Sequence, residues 1–136
     1  MVKKCCATTN SDLGILVIRF VLALVFIIHG LVKFQMLDGT IAFFGMLGLT
    51  PFFAYLVSIV ELFGGILLLL GVITPWVSLA LAINMACAIL LVKHNKPFIG
   101  GYEYELTLML VSLGLSLLGS GKYTICPCDR LNEKRK

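Results

Sequence analysis

The sequence predicts an all-α polytopic membrane protein: a bundle of four transmembrane helices with a short interfacial or re-entrant segment in its first loop. Three observations carry this. Of 136 residues, 60% are hydrophobic and only 13% are charged, about half the charge of an ordinary soluble domain. The mean hydropathy is +1.03. The apolar residues fall in four continuous runs, each near the roughly 20 residues a helix needs to cross a bilayer. Continuous rather than alternating runs favour helices over a barrel.

The first run covers Leu13 to Val32 and is interrupted by Arg19 and His29. No small-x-small cleavage pattern follows it, so this span is expected to be retained. The next loop, Phe34 to Pro51, is long but still apolar, with Ile41, Phe43, Phe44, Met46 and Leu47. Such a segment is expected at the membrane interface or dipping into the bundle. The second run covers Phe52 to Ile73 around Glu61, and Thr74-Pro75 reads as a tight turn into the third, Trp76 to Val92, which contains Asn84. A polar loop from Lys93 to Glu103, with Pro97 and Gly100-Gly101, leads to the fourth run, Tyr104 to Leu118.

The net charge of +4 does not point to nucleic acid, because the basic residues gather at the chain ends. Lys3, Lys4, Lys122, Arg130, Lys134, Arg135 and Lys136 would share one side of a four-span bundle; Lys33, Lys93 and Lys96 would share the other. Positive-inside bias then places both termini in the cytoplasm and the bundle in the cell (inner or plasma) membrane. The domain reading is a cytoplasmic segment 1–12, a transmembrane domain 13–121, and a basic, Cys-containing cytoplasmic tail 122–136.

Ionisable residues inside a membrane are expensive, about 2.5–3.5 kcal/mol each at mid-depth on insertion scales, and call for partners. Arg19 lies roughly 9 Å in from one end of the first span, and Glu61 roughly 14 Å in from the opposite end of the second. Those depths leave their levels about 7 Å apart in a 30 Å core, so an Arg19–Glu61 ion pair is expected. Small and polar stripes accompany it: Ser58, Glu61 and Gly65; Ala80, Asn84, Cys87 and Ala88; Glu105, Met109, Ser112, Ser116 and Gly119. These four helices are expected to meet in one core.

His29 and Lys33, with Glu103, Glu105 and His94, converge on the opposite mouth, where a His beside a carboxylate suits proton transfer. Arg19, Glu61, Asn84, His29, Lys33 and Glu105 are therefore the candidate ligand-pocket residues. Helix anchoring at headgroups, and a purely structural ion pair that sets helix register, are the competing readings. No metal site is expected: Cys126-Pro127-Cys128 lacks the usual Cys-x-x-Cys spacing. Cys5, Cys6, Cys126 and Cys128 remain candidates only if both termini meet on one ion, with acylation or no specific role as alternatives. Two histidines at one face make no bis-His heme site, and Walker, Rossmann and zinc-protease motifs are absent.

The order of motifs resembles the DoxX family of small four-helix membrane proteins over about Leu13 to Thr124. It rests on Arg19 followed by His29-Gly30-Leu31-Val32-Lys33-Phe34, then Phe43-Phe44 and Leu47-Gly48 before Pro51. Glu61 with Gly64-Gly65, Asn84-Met85-Ala86, Gly100-Gly101-Tyr102-Glu103 and Gly119-Ser120-Gly121-Lys122-Tyr123 complete it. One departure is Ile125-Cys126-Pro127-Cys128 ahead of Asp129, where the family commonly places an acidic residue sooner. The resemblance implies a link to thiosulfate:quinone oxidoreductase and to membrane oxidoreductase complexes of thiol and oxidative stress. The expected function is a quinone-interacting or anchoring subunit of such a complex; the alternative is a non-catalytic membrane binding or assembly protein. No catalytic residue is carried over. Quinone is the expected cofactor. Membrane lipid, a soluble oxidoreductase subunit and further copies of the chain are the expected partners.

Overall fold

The computed structural model describes residues 11–125. They form α1 (Ser11–Gln35), α2 (Leu37–Met46), α3 (Pro51–Leu70), α4 (Thr74–Ala88) and α5 (Glu103–Leu118). A π-helical turn, Ile89–Lys93, prolongs α4, and a kinked segment, Phe98–Tyr102, with non-helical backbone at Ile99 and Gly100, precedes α5. No strand occurs among the described residues. Counting α4 with its π turn, three helices among the described residues are long and apolar enough to cross a membrane; α5 is shorter, with 16 residues.

The bundle has the inverted surface of a membrane protein. Phe20, Leu24, Ile28, Phe63, Trp76 and Leu117 are exposed, an apolar exterior that water would not tolerate. Arg19, Ser58, Glu61, Ser78 and Ser112 are buried. The core joins Leu22, Ala23 and Phe26 of α1 to Leu68 of α3, Val77, Leu81 and Met85 of α4, and Leu115 of α5.

Two glycines set the register of α1 against α3. A Cβ on Gly30 would lie 2.6 Å from the Leu62 backbone nitrogen, and one on Gly65 would lie 2.9 Å from that of Ile27. Small residues let membrane helices approach this closely. As α1 runs from Arg19 to Gly30, α3 therefore runs back from Gly71 to Leu62.

The second apolar run stops short of its expected end at Ile73. Gly71 adopts φ 72 and ψ 24, and the bonds Gly71 N to Leu68 O and Val72 N to Leu67 O close a Schellman motif. The tight turn is thus Gly71 to Ile73, and Thr74-Pro75 begins α4, where a first-turn proline costs no hydrogen bond. The apolar first loop becomes α2, which follows α1 after a break at Met36 (φ −110, ψ 43). Thr40 Oγ1 donates across this break to Met36 O at 3.0 Å. No residue of α2 is buried.

Candidate functional site

The expected Arg19–Glu61 pair does not form; the two residues belong to opposite ends of the bundle. Arg19 stands level with Gly71, whose Cβ would meet its Nη1 at 2.7 Å. Glu61 lies ten residues back along α3, roughly 15 Å away by helical rise. The expectation of a pair requires helices flush at their ends. In fact α3 stops at the level of Arg19, about two turns inside the start of α1. The space beyond its end is filled by residues 119–125. Arg19 donates through Nη1 to Ser120 O at 2.6 Å and through Nη2 to Tyr123 O, and Ile125 N bonds Leu70 O at 3.1 Å. The cation, 2% exposed, thus sits on carbonyls of the segment that follows α5 and folds over the end of α3.

Glu61 is instead bound by Lys33 and Asn84. Lys33 Nζ reaches Oε1 at 2.5 Å and Oε2 at 2.6 Å, and Asn84 Nδ2 donates to Oε1 at 3.0 Å. Gly30 against Leu62 dictates this choice: Lys33 lies less than one turn beyond Gly30, so it overhangs Glu61 on the facing helix. The Glu61 side chain is 2% exposed, that of Lys33 29%. This triad, with only its carboxylate fully buried, spans α1, α3 and α4.

Lys33 and Asn84 line a partly open cavity of about 810 Å³ between α2, α3 and α4. Phe43 and Phe44 of α2, Phe53, Leu56 and Val60 of α3, and Ile83 and Leu91 on the α4 side give it apolar walls. Ala80, Asn84, Cys87 and Ala88, expected as a core stripe, face this cavity. The buried stripe of α4 is instead Thr74, Val77, Ser78, Leu81, Ala82 and Met85.

A second ion pair also lines the cavity. Lys93 Nζ lies 2.8 Å from Glu105 Oε1 and donates to Gly101 O at 2.9 Å. Sequence reasoning missed Lys93, which at the end of a span reads as a headgroup anchor. In an unbroken α-helix, nine residues turn it about 180° away from Asn84. The π turn winds more slowly and takes back roughly 90° of that, which brings Lys93 toward the cavity. Gly101 O is presented by a kink at Ile99 and Gly100, where φ is 71 at the glycine.

Of the candidate pocket residues, Glu61, Asn84, Lys33 and Glu105 come together and Arg19 does not. His29 also stays outside: it is exposed, its Nδ1 lies 2.9 Å from Val25 O, and its ring centroid is 5.8 Å from that of Tyr104. Among the described residues no three His, Cys, Asp or Glu side chains converge as metal ligands. The candidates Cys5, Cys6, Cys126 and Cys128 lie outside the described residues.

An apolar exterior, antiparallel spanning helices and charged pairs turned inward onto a cavity define a polytopic membrane protein with an interior polar site. The chain belongs to the DoxX family, whose profile matches residues 14–94. It is similar to the Bacillus subtilis (strain 168) protein named "Putative oxidoreductase CatD", with 41% identity over 111 residues, covering 82% of this chain and 83% of that one. No solved structure matches significantly.

Proposed function

We propose that this chain is the quinone-binding subunit of an oxidoreductase in the cell membrane, with both termini cytoplasmic. The single observation that carries the reading is the cavity whose walls hold Lys33, Asn84 and the Lys93–Glu105 pair, with Glu61 buried directly behind Lys33 and Asn84. Its 810 Å³ fits the volume range of small-molecule sites, which combine mostly apolar walls with a few placed polar groups.

The residues present suit a quinone. An aromatic ring and isoprenoid tail need apolar walls, which Phe43, Phe44, Phe53 and Leu56 supply. Two carbonyl oxygens need donors, and Lys33, Asn84 and Lys93 carry them. A quinone held there supplies the two-electron chemistry. Lys33 and Asn84 orient its oxygens, Glu61 fixes both donors in place, and the lysine–carboxylate pairs hold protons beside them. A soluble oxidoreductase subunit delivers or removes electrons. The name of the Bacillus subtilis relative and the oxidoreductase association of the family point the same way.

The test is native mass spectrometry of the protein released gently from its own membranes. The expected result is a stoichiometric quinone on the wild type that is lost in Asn84→Leu, together with a soluble oxidoreductase partner. A bare chain or oligomer carrying only bulk lipid, unchanged by the substitution, overturns the reading.

A further inference from the structure

We propose that Glu61 and Glu105 act as built-in counter-anions that make the cavity select uncharged head groups and reject anionic amphipaths. This deepens the quinone reading and rests on it for the identity of the head group. It does not rest on it for the rule of charge.

The problem is set by the solvent. A cavity reachable from a bilayer meets fatty acids and acidic phospholipids, whose tails suit the same apolar walls. Two lysines in those walls would by themselves make an anion trap, because a cation and an anion attract strongly once water is excluded. The structure neutralises both. Lys33 is held bidentately by Glu61, and Lys93 lies 2.8 Å from Glu105. Each ammonium has three N–H groups. Lys33 directs its hydrogen bonds to the two oxygens of Glu61, and Lys93 engages Glu105 and Gly101 O. One N–H on each is left uncommitted.

These lysine side chains are 29% and 32% exposed, so the spare donors belong to partly open groups on the cavity wall. What the cavity offers is hydrogen-bond donation without net charge. An uncharged carbonyl accepts such a bond at no electrostatic cost. A carboxylate or phosphate must approach Glu105 on the wall, or Lys33 with the Glu61 charge directly behind it, and is repelled; rejection of this kind is how specificity against an abundant competitor is built. The irregular backbone supports the assignment. The π turn that presents Lys93 and the left-handed Gly100 that presents Gly101 O both serve this pair, and π turns concentrate at functional sites.

Cys87, exposed on the cavity wall, provides the readout. The full chain, with Cys5, Cys6, Cys126 and Cys128 replaced by serine, is placed in lipid nanodiscs. Protection of Cys87 from a maleimide is then measured with decylubiquinone, decanol and decanoate, probes with tails of matched length. In the wild-type cavity decylubiquinone and decanol should protect, and decanoate should do so about tenfold less well. Glu105→Gln, which leaves Lys93 uncompensated, should improve protection by decanoate about tenfold, and the double change Lys93→Gln/Glu105→Gln should cancel that gain.

Equal protection by decanoate and decylubiquinone in the wild-type cavity, or an unchanged ratio in a folded Glu105→Gln protein, overturns the charge rule and leaves the quinone reading standing. Protection by decanol alone overturns the quinone reading and leaves the charge rule standing. Protection by none of the three overturns both. If Glu105→Gln does not fold, the decanol-to-decanoate ratio on the wild-type cavity still decides the rule.

Discussion

The two ends of this bundle each turn basic side chains inward, and they solve the problem differently. At the Arg19 end the cation is held by the carbonyls of Ser120 and Tyr123 and is 2% exposed. Its partners are backbone atoms, fixed in place and unable to exchange protons. At the Lys33 end, Lys33 and Lys93 pair with carboxylates, remain about a third exposed, and border a cavity. Their partners are titratable and share space with a ligand. A buried charge is therefore not by itself a functional site. The carbonyl clasp closes the bundle over the short end of α3, whereas the carboxylate pairs leave donors available.

The two ends should differ most in their response to loss of Glu61. Glu61→Ala strands Lys33 and removes the acceptor of Asn84, so it should cost about 3–5 kcal/mol, as removal of one partner of a buried pair does. Chemical or thermal unfolding in detergent measures this, and probe binding in the cavity should fall with it.

At the other end, Arg19→Met keeps the apolar stem but leaves two carbonyls without their charged donor. The expected loss is about 2–3 kcal/mol with cavity binding retained in the folded fraction. Loss of binding at unchanged stability would erase the distinction between the two ends.

The smallest effect is expected at Lys122, whose Nζ lies 3.4 Å from Asp12 with 79% of its side chain exposed. Lys122→Ala should change stability by no more than about 0.5 kcal/mol. A larger loss would mean that this surface pair, and not Arg19, anchors residues 119–125.

The helices were legible because a bilayer forces each spanning segment to satisfy its own backbone hydrogen bonds, and only continuous apolar runs do so cheaply. For the same reason the costly residues inside them stood out, and Lys33, Glu61, Asn84 and Glu105 were all named from composition and position. Their pairing was not legible. Partner choice depends on how far one helix slides along another, and Gly30 packed on Leu62 decides that through contact. The early end of α3 was signalled by Gly71, but nothing local said that residues 119–125 would fold over it and claim Arg19.

The facing of α4 was likewise ambiguous. Ala80, Asn84 and Cys87 on one side, and Ser78, Ala82 and Met85 on another, are both small or adaptable enough to pack. Lys93 was hidden because the π turn that rotates it carries no local sequence signal, and its partners Glu105 and Gly101 O come from beyond the next loop.

By itself, then, the sequence determined the membrane fold, the helices and the charged interior residues that lie within the spans, since these follow from the cost of placing each residue in lipid. The tertiary structure alone decided which charges meet, which end holds a cavity and which lysine joins it. Those outcomes depend on helix register and rotation, which arise from packing between segments far apart in the chain.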